Sequence, residues 1–226
     1  MAKHKGTRTE FVVVDGKSTD GTLVVIQSHR DVIDRFISEP DQGIYDAMNK
    51  GVALAQGKYL WFLNAGDDPL LDVETLGLSS SDSPALVYGR ANIFAPDGTL
   101  RYVKGKRLKG LHRFLKGMPL CHQAILYRHD CMMDYDLRFK VISDRVLTFL
   151  MISAHGVDQT RFVDCVMVNY YDGGFSSGFS DEELRAEERL FYLSVGKSYY
   201  ILIKKINALF RYKIKQPILR ALAKHL

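Results

Sequence analysis

Short apolar runs alternate with amphipathic stretches along the first third of the chain. Residues 11–14 and 59–63 are rich in β-branched or aromatic side chains and are short enough for buried strands. Between them, residues 22–36 and 44–56 have apolar positions at helical spacing, and Gly57 fits a helix C-cap. This alternation predicts an α/β layered sheet that binds ligands at the carboxyl ends of its strands.

The second half of the chain has a different pattern. Residues 86–94 and 100–103 predict two strands joined by a hairpin turn, and residues 123–127 and 161–171 predict two more. Residues 146–154 and 182–193 predict helices, one apolar and one charged. We predict one α/β domain over residues 1–180 and a basic amphipathic helical tail over residues 181–226.

Positive charge is concentrated in that tail. The chain has a formal net charge of +5, but residues 190–226 contain eight Lys or Arg and no Asp or Glu. Because the same segment is rich in Tyr, Phe, Ile and Leu, we expect it to bind anionic lipid head groups. A helix packed on the domain with a solvated lysine face is the alternative. Nothing in the tail resembles a nucleic-acid recognition motif, so we expect no nucleic-acid partner.

Cysteine usage and the lack of long apolar stretches indicate the compartment. The three cysteines, Cys121, Cys131 and Cys165, are widely spaced and form no CxxC pair, which favours a reducing compartment over a disulfide framework or a zinc site. No secretory signal follows Met1, and no apolar stretch reaches the roughly 18–20 residues that span a bilayer. We therefore expect a cytoplasmic protein, peripheral on the inner face of the plasma membrane.

Three acidic positions follow apolar structure or open a helix. Asp15 ends the first predicted strand, Asp67 and Asp68 follow the second, and Asp144 precedes the apolar helix. Each has a structural alternative, since Asp is common in turns and at helix N-caps. Adjacent carboxylates also suit Mg²⁺, and a separate carboxylate could deprotonate an attacking hydroxyl. The DxDxT pattern of haloacid-dehalogenase-type phosphotransferases is not met, because Lys17 stands where the second carboxylate is needed.

Six segments match, in order and spacing, the motifs of one enzyme family. The segments are VDGKSTDGT (14–22), SEPDQGIYDAMNKG (38–51), FLNAGDD (62–68), CHQA (121–124), YDLRFKVISD (135–144) and GGFS (173–176). They resemble the motifs VDGGSTDGT, SEPDxGIYDAMNKG, FLNSGD, HQA, YDxxxKxxSD and GGxS of family 2 glycosyltransferases. The resemblance covers about residues 10–180, and it is strongest to the enzymes of colanic acid and capsular exopolysaccharide biosynthesis.

The resemblance implies a fold and roles for individual residues. The fold would be GT-A, a three-layer α/β/α sandwich with a mixed, mainly parallel sheet. Asp144 would be the catalytic base, and Asp67 would ligate a Mg²⁺ or Mn²⁺ ion that bridges the diphosphate. The residues implied to line the nucleotide-sugar site are Asp15, Asp41, Asp46 and Asn49. His122 and Gln123 are implied to contact donor or acceptor. For Asn49, His122 and Gln123, a structural role is the alternative.

The implied activity is that of an inverting glycosyltransferase. It would move a sugar from a nucleotide-diphosphate-sugar to a lipid-linked or polysaccharide acceptor in bacterial exopolysaccharide or cell-surface glycan biosynthesis. The acceptor hydroxyl would attack the anomeric carbon in line. The loop at residues 173–178 could close over the donor as a lid.

The chain departs from the family pattern in two places. Asn64 and Gly66 replace acids of the commoner metal motif, so the metal should have fewer protein carboxylates. Family members also have a strand and a helix before the strand that ends at Asp15, whereas here Met1 lies ten residues before Phe11. Since the missing strand is central, we expect an open apolar edge beside residues 11–14. A truncated remnant that binds a nucleotide-sugar or glycan at a membrane without turnover is therefore the alternative function.

Overall fold

The computed structural model describes Gly6 and residues 8–78, 83–174 and 178–195. Contacts divide the chain into two units, Met1–Gly178 and Phe179–Leu226, a boundary close to the predicted one at residue 180. The second unit contains helix α4 (Asp181–Ser194), which begins with a capping box between Ser180 and Glu183. The predicted helical character of residues 196–226 lies outside the described residues.

The first unit begins with a small parallel sheet and two helices. Strand β1 (Val12–Asp15) pairs in parallel with β2 (Arg35–Ser38), and helix α1 (Thr22–Ser28) connects them. Helix α2 (Ile44–Leu54) follows and buries Tyr45 and Met48. The helix predicted over residues 22–36 is therefore too long. Its last residues form β2 instead, because pairing with β1 satisfies their backbone groups.

A six-stranded sheet follows in the first unit. Its strands are β3 (Tyr59–Trp61), β4 (Asp68–Pro69), β5 (Leu86–Phe94), β6 (Leu100–Lys104), β7 (Ile125–Arg128) and β8 (Thr160–Tyr171). The order is β3-β7-β5-β8-β4, and β6 pairs with β5 outside this path. The fold is α/β with mixed sheets, as predicted. However, four of the six strand pairings among the described residues are antiparallel, so the sheets are less parallel than expected.

The core lies on the central strands of this sheet. The first three residues of β5 are at most 1% exposed, and Ile125 and Tyr127 of β7 are fully buried. Helix α3 (Ser143–His155) contributes a further apolar face that includes Val146, Phe149 and Met151. Within the described residues, no helix is long and apolar enough to cross a membrane.

Strands β1 and β3 lie on opposite sides of an open slot. Among the described residues, β1 pairs only with β2, and β3 pairs only with β7. A cavity of about 660 Å³ lies between them, and its apolar lining includes Val12, Val14, Ala47, Met48, Leu60 and Trp61. Glu10 accepts a hydrogen bond from the backbone N–H of Gln56, so both strands start at the same end of the slot. This cavity agrees with the open apolar edge expected beside residues 11–14.

Candidate active site

The loop after β1 holds Asp15 in a fixed orientation. Its Oδ2 accepts hydrogen bonds from the Ser38 hydroxyl at 2.6 Å and from the Ser18 N–H at 3.1 Å. Hydrogen bonds from Ser18 and then Ser38 lower the pKa of Asp15, and desolvation opposes them. Lys17 bends the loop by adopting φ 65°, a left-handed conformation that non-glycine residues rarely take. The carboxylate is therefore ionised at neutral pH and can accept a hydrogen bond from the N–H of a nucleobase.

Asp41 and Asp46 flank the N-terminus of α2 but face different neighbours. Asp41 accepts from the Gly43 N–H at 2.9 Å, and a Cβ added to Gly16 would lie 2.4 Å from its Oδ2. Asp41 therefore lines the Asp15 loop, as a nucleotide-contacting residue would. Asp46 accepts from the Gln42 N–H at 2.9 Å and lies 3.6 Å from Nζ of Lys50. These contacts give Asp46 a role in starting the helix.

Asp67 lies in the loop between β3 and β4 and is partly buried. Its Oδ2 accepts from the Asn64 N–H at 3.1 Å, and burial raises the pKa of Asp67 to about 6. No ion pair to Asp67 occurs among the described residues, so a bound cation would offset its desolvation. Asp68 lies on β4, with its Oδ2 3.4 Å from the Asn169 amide nitrogen.

These residues fit a divalent cation that is held mainly by substrate. No group of three or more His, Cys, Asp or Glu side chains in the described parts of the chain is arranged to hold a metal ion. Mg²⁺ is commonly held by one or two carboxylates together with substrate phosphates and water. Asp67 would supply one carboxylate, and the diphosphate would complete the set.

Asp144 is the second residue of α3. The residue at the N-cap is Ile142. The structural alternative for Asp144, a helix N-cap, is therefore wrong. Its Oδ1 accepts from the Arg145 N–H at 2.8 Å and lies 3.2 Å from the Tyr45 hydroxyl. The first turn of a helix favours a negative charge, because the backbone N–H groups there point toward it. Asp144 is half-buried and so keeps access to solvent and to a ligand.

His122 and Gln123 lie in a short turn, His122–Ala124, just before β7, and both are 6% exposed. His122 Nε2 lies 2.8 Å from the Tyr135 hydroxyl, and Gln123 Oε1 accepts from the Cys121 thiol at 3.2 Å. Burial lowers the pKa of His122, with the Asp144 charge opposing, so the ring is neutral at neutral pH. These contacts support the structural alternative for both side chains, and their contact with donor or acceptor stays a prediction.

Asn49 pairs with the backbone of Tyr135 rather than facing the Asp15 loop. Its Oδ1 accepts from the Tyr135 N–H at 2.8 Å, and its Nδ2 donates to the Tyr135 carbonyl at 3.0 Å. The side chain thus makes two hydrogen bonds with a segment 86 residues away along the chain. This arrangement supports the alternative of satisfying backbone groups.

Asp67 and Asp144 both lie within electrostatic reach of the Cys121 thiol. Burial raises the pKa of the Cys121 thiol to about 12, Lys104 opposes this, and the charges of Asp67 and Asp144 both add to the rise. One thiol can respond to both carboxylates only if both are close to it. A candidate metal ligand and a candidate base therefore act on the same buried thiol, and His122, the residue after that cysteine, stacks on Phe62 with ring centroids 5.5 Å apart.

Several residues that shape this site were not predicted from the sequence. Ser18 and Ser38 fix Asp15, and Tyr45 and Tyr135 contact Asp144 and His122. The sequence contained a pattern that could have identified only Tyr45. Tyr45 lies four residues from Asn49 on α2, so the two side chains share one helix face. Of the predicted lid, residues 175–177 lie outside the described part of the chain.

Comparisons with known proteins point to one enzyme family. Residues 2–74 match the family model described as "Glycosyl transferase family 2". A "PGL/p-HBAD biosynthesis glycosyltransferase" of Mycobacterium bovis (strain BCG / Pasteur 1173P2) is 35% identical over 193 residues, which cover 77% of this chain and 70% of that protein. A "Putative teichuronic acid biosynthesis glycosyltransferase TuaG" of Bacillus subtilis (strain 168) is 32% identical over 95 residues, 40% of this chain and 38% of that protein.

A solved structure shares the fold. S. aureus TarS, residues 1–349, superposes with a TM-score of 0.61 at 16% sequence identity, covering 83% of this chain. The chain spans a little over half, 56%, of that structure's length. This likeness supports the α/β GT-A architecture, and the identity to the mycobacterial relative extends over most of both sequences. The chain belongs to family 2 of the glycosyltransferases.

Proposed function

We propose that the chain is a metal-dependent, inverting glycosyltransferase that uses a nucleotide-diphosphate-sugar. The observation that carries this proposal is that the charges of Asp67 and Asp144 both reach the Cys121 thiol, while the ionised Asp15 begins the loop between β1 and α1. These three carboxylates meet the three needs of sugar transfer: recognition of a nucleotide, neutralisation of a diphosphate and removal of a proton.

The chemistry is a single displacement at the anomeric carbon. Asp144 accepts the proton of the acceptor hydroxyl while the acceptor oxygen forms a bond to the anomeric carbon. The bond between that carbon and the diphosphate oxygen breaks on the opposite face, and its electron pair leaves with the nucleoside diphosphate. A Mg²⁺ or Mn²⁺ ion held by Asp67 and the diphosphate would neutralise the charge of the leaving group.

The acceptor is proposed to be a glycolipid or a growing glycan of the bacterial cell surface. Relatives act in PGL/p-HBAD biosynthesis in M. bovis and, putatively by name, in teichuronic acid biosynthesis in B. subtilis. Both names support a cell-surface product in general. The colanic acid and exopolysaccharide pathway stays a prediction. The basic, aromatic segment at residues 190–226 would hold the enzyme on the inner face of the plasma membrane.

Donor turnover tests this function. Nucleotide-sugars would be screened with Mn²⁺ and with EDTA, starting from UDP-GlcNAc, which is the sugar nucleotide in one TarS complex.

Asp144→Asn should lower kcat by about 10²–10⁴-fold, the usual contribution of a general base. Asp67→Ala should raise the Mn²⁺ concentration that gives half-maximal rate. Asp181→Asn, in the first turn of α4 and exposed, is the matched control. Unchanged rates in both site variants would refute these roles.

A binding module without turnover is the second candidate. The cavity between β1 and β3 favours it, because β1 pairs only with β2 among the described strands, which leaves the Asp15 loop with less support. Calorimetric binding of a UDP- or GDP-sugar with no product formed over hours would support this candidate over the enzyme.

A further inference from the structure

Two side chains of α2 hold the segment that carries Asp144. Tyr45 and Asn49 lie four residues apart and therefore on one face of the helix. Asn49 pairs with the backbone of Tyr135, and the Tyr45 hydroxyl donates to the Val141 carbonyl at 2.7 Å and lies 3.2 Å from Oδ1 of Asp144. One helix face thus contacts both ends of the segment from Tyr135 to Asp144.

We propose that Tyr45 is the positioning residue of the base, holding the Asp144 carboxyl in one orientation before and after it accepts a proton. The proposal rests on the proposed function, in which Asp144 takes the proton of the acceptor hydroxyl. It gives a task to Tyr45, a residue of the motif at residues 38–51 for which the family resemblance implied no role.

The hydroxyl of Tyr45 can serve both protonation states of Asp144. A phenol has one hydrogen to donate and lone pairs that accept. When Asp144 is ionised, the Tyr45 hydrogen is shared between the carboxylate and the Val141 carbonyl, which both lie within reach. When Asp144 is protonated, its O–H can donate to the Tyr45 oxygen while the Tyr45 hydrogen stays on the Val141 carbonyl. Phenylalanine offers neither contact.

The surroundings keep Tyr45 in place. Its side chain is 8% exposed, and its ring stacks on Tyr135 with centroids 5.4 Å apart and an interplanar angle of 20°. The Tyr135 hydroxyl in turn lies 2.8 Å from Nε2 of His122. Burial raises the pKa of Tyr135 well above its usual value and lowers that of His122, so both groups stay neutral beside the base. A packed, uncharged support of this kind fixes a carboxylate without competing for its proton.

The kinetic test compares two Tyr→Phe substitutions. Tyr45→Phe should lower kcat about tenfold or more and leave the donor KM within about twofold, because only the base is disturbed. Tyr59→Phe is the matched control, since its hydroxyl donates to the Pro84 carbonyl at 2.8 Å, much as Tyr45 donates to Val141. If loss of a tyrosine–carbonyl hydrogen bond were the whole effect, both variants would behave alike, and the proposal would be overturned.

A second measurement does not depend on turnover. A double-mutant cycle of Tyr45→Phe and Asp144→Ala, followed by urea unfolding of the 226-residue chain, measures the coupling between the two side chains. We expect the double variant to lose less stability than the two single losses combined. Additive losses would overturn the contact itself, even in an active enzyme. Measurable coupling in a chain that turns over none of the donors would instead count against the proposed function.

Discussion

Aspartate side chains of the predicted site experience opposite environments in this protein. Hydrogen bonds from serines lower the pKa of Asp15, whereas burial raises the pKa of Asp67 to about 6. The difference follows from local donors, since Asp15 receives two hydrogen bonds to one oxygen and Asp67 receives one from Asn64. Accepting a hydrogen bond from a nucleobase and binding a cation, the roles proposed for Asp15 and Asp67, can thus arise from the same residue type.

Asp67→Asn should stabilise the folded chain at neutral pH. Because its folded-state pKa lies above the ordinary value of 3.8, ionised Asp67 costs stability above about pH 6, and the cost disappears below about pH 4. We expect a gain of about 1 kcal/mol at pH 7, discounted because solvent still screens part of the side chain, and almost none at pH 4. Urea unfolding of both proteins at several pH values measures this.

The control for that measurement is Asp97→Asn in the hairpin turn. Hydrogen bonds from Thr99 lower the pKa of exposed Asp97, so its contribution has the opposite sign and is lost as the pH falls. Relative to wild type, Asp97→Asn should therefore lose slightly more stability at pH 7 than at low pH. A stability gain for Asp67→Asn that is equal at pH 4 and pH 7 would contradict the assigned burial effect.

Asn49→Ala should destabilise the protein by about 2 kcal/mol. The substitution leaves the Tyr135 N–H and carbonyl without their side-chain partner, and part-buried polar groups without a partner cost about 1–3 kcal/mol. Asn92→Ala, which removes one hydrogen bond between side chains at 2.9 Å, should cost less than about 1 kcal/mol. Equal unfolding midpoints for wild type and Asn49→Ala would contradict a stabilising role of the two hydrogen bonds between Asn49 and the Tyr135 backbone.

Elements were easier to predict than contacts. The strand at residues 86–94 was predicted with its observed bounds, and the helix at residue 44 with its observed start, because their apolar spacing is regular. The region after α1 was mispredicted, since β-branched residues fit either structure and only pairing with β1 decides for a strand. The Tyr45–Asp144 contact joins residues 99 positions apart, so no local pattern contains it.

The two sheets should differ in backbone protection. Among the described strands, β5 pairs with three neighbours and is nearly unexposed over residues 86–88, whereas β1 and β2 pair only with each other beside the cavity. Hydrogen–deuterium exchange followed by mass spectrometry should show amides of residues 12–15 and 35–38 exchanging at least about tenfold faster than those of residues 86–94. Equal protection of both sheets would mean that the open edge of β1 is covered in solution.

The whole molecule combines a slightly acidic body with a strongly basic end. Residues 190–226 carry eight of its Lys and Arg residues without an acidic residue, so the other residues sum to −3. The sequence indicated the family, because short motifs can be recognised without coordinates. It did not indicate that Asp67 and Asp144 both act on Cys121, because that depends on packing between segments far apart along the chain.

The charge distribution predicts salt-sensitive binding to anionic membranes. Each Lys or Arg near an anionic surface contributes about 1 kcal/mol at moderate ionic strength, and this attraction weakens with salt. The 226-residue chain should cosediment with vesicles that contain phosphatidylserine and be released by 1 M NaCl, while a variant ending at Val195 should stay in the supernatant. Replacing only the basic residues of 197–224 by Gln separates charge from apolar contact, and it should lower binding at least about tenfold. Undiminished binding of the Gln variant would show that apolar insertion, not charge, holds the protein on the bilayer. Binding of the shortened chain would place the membrane contact within residues 1–195.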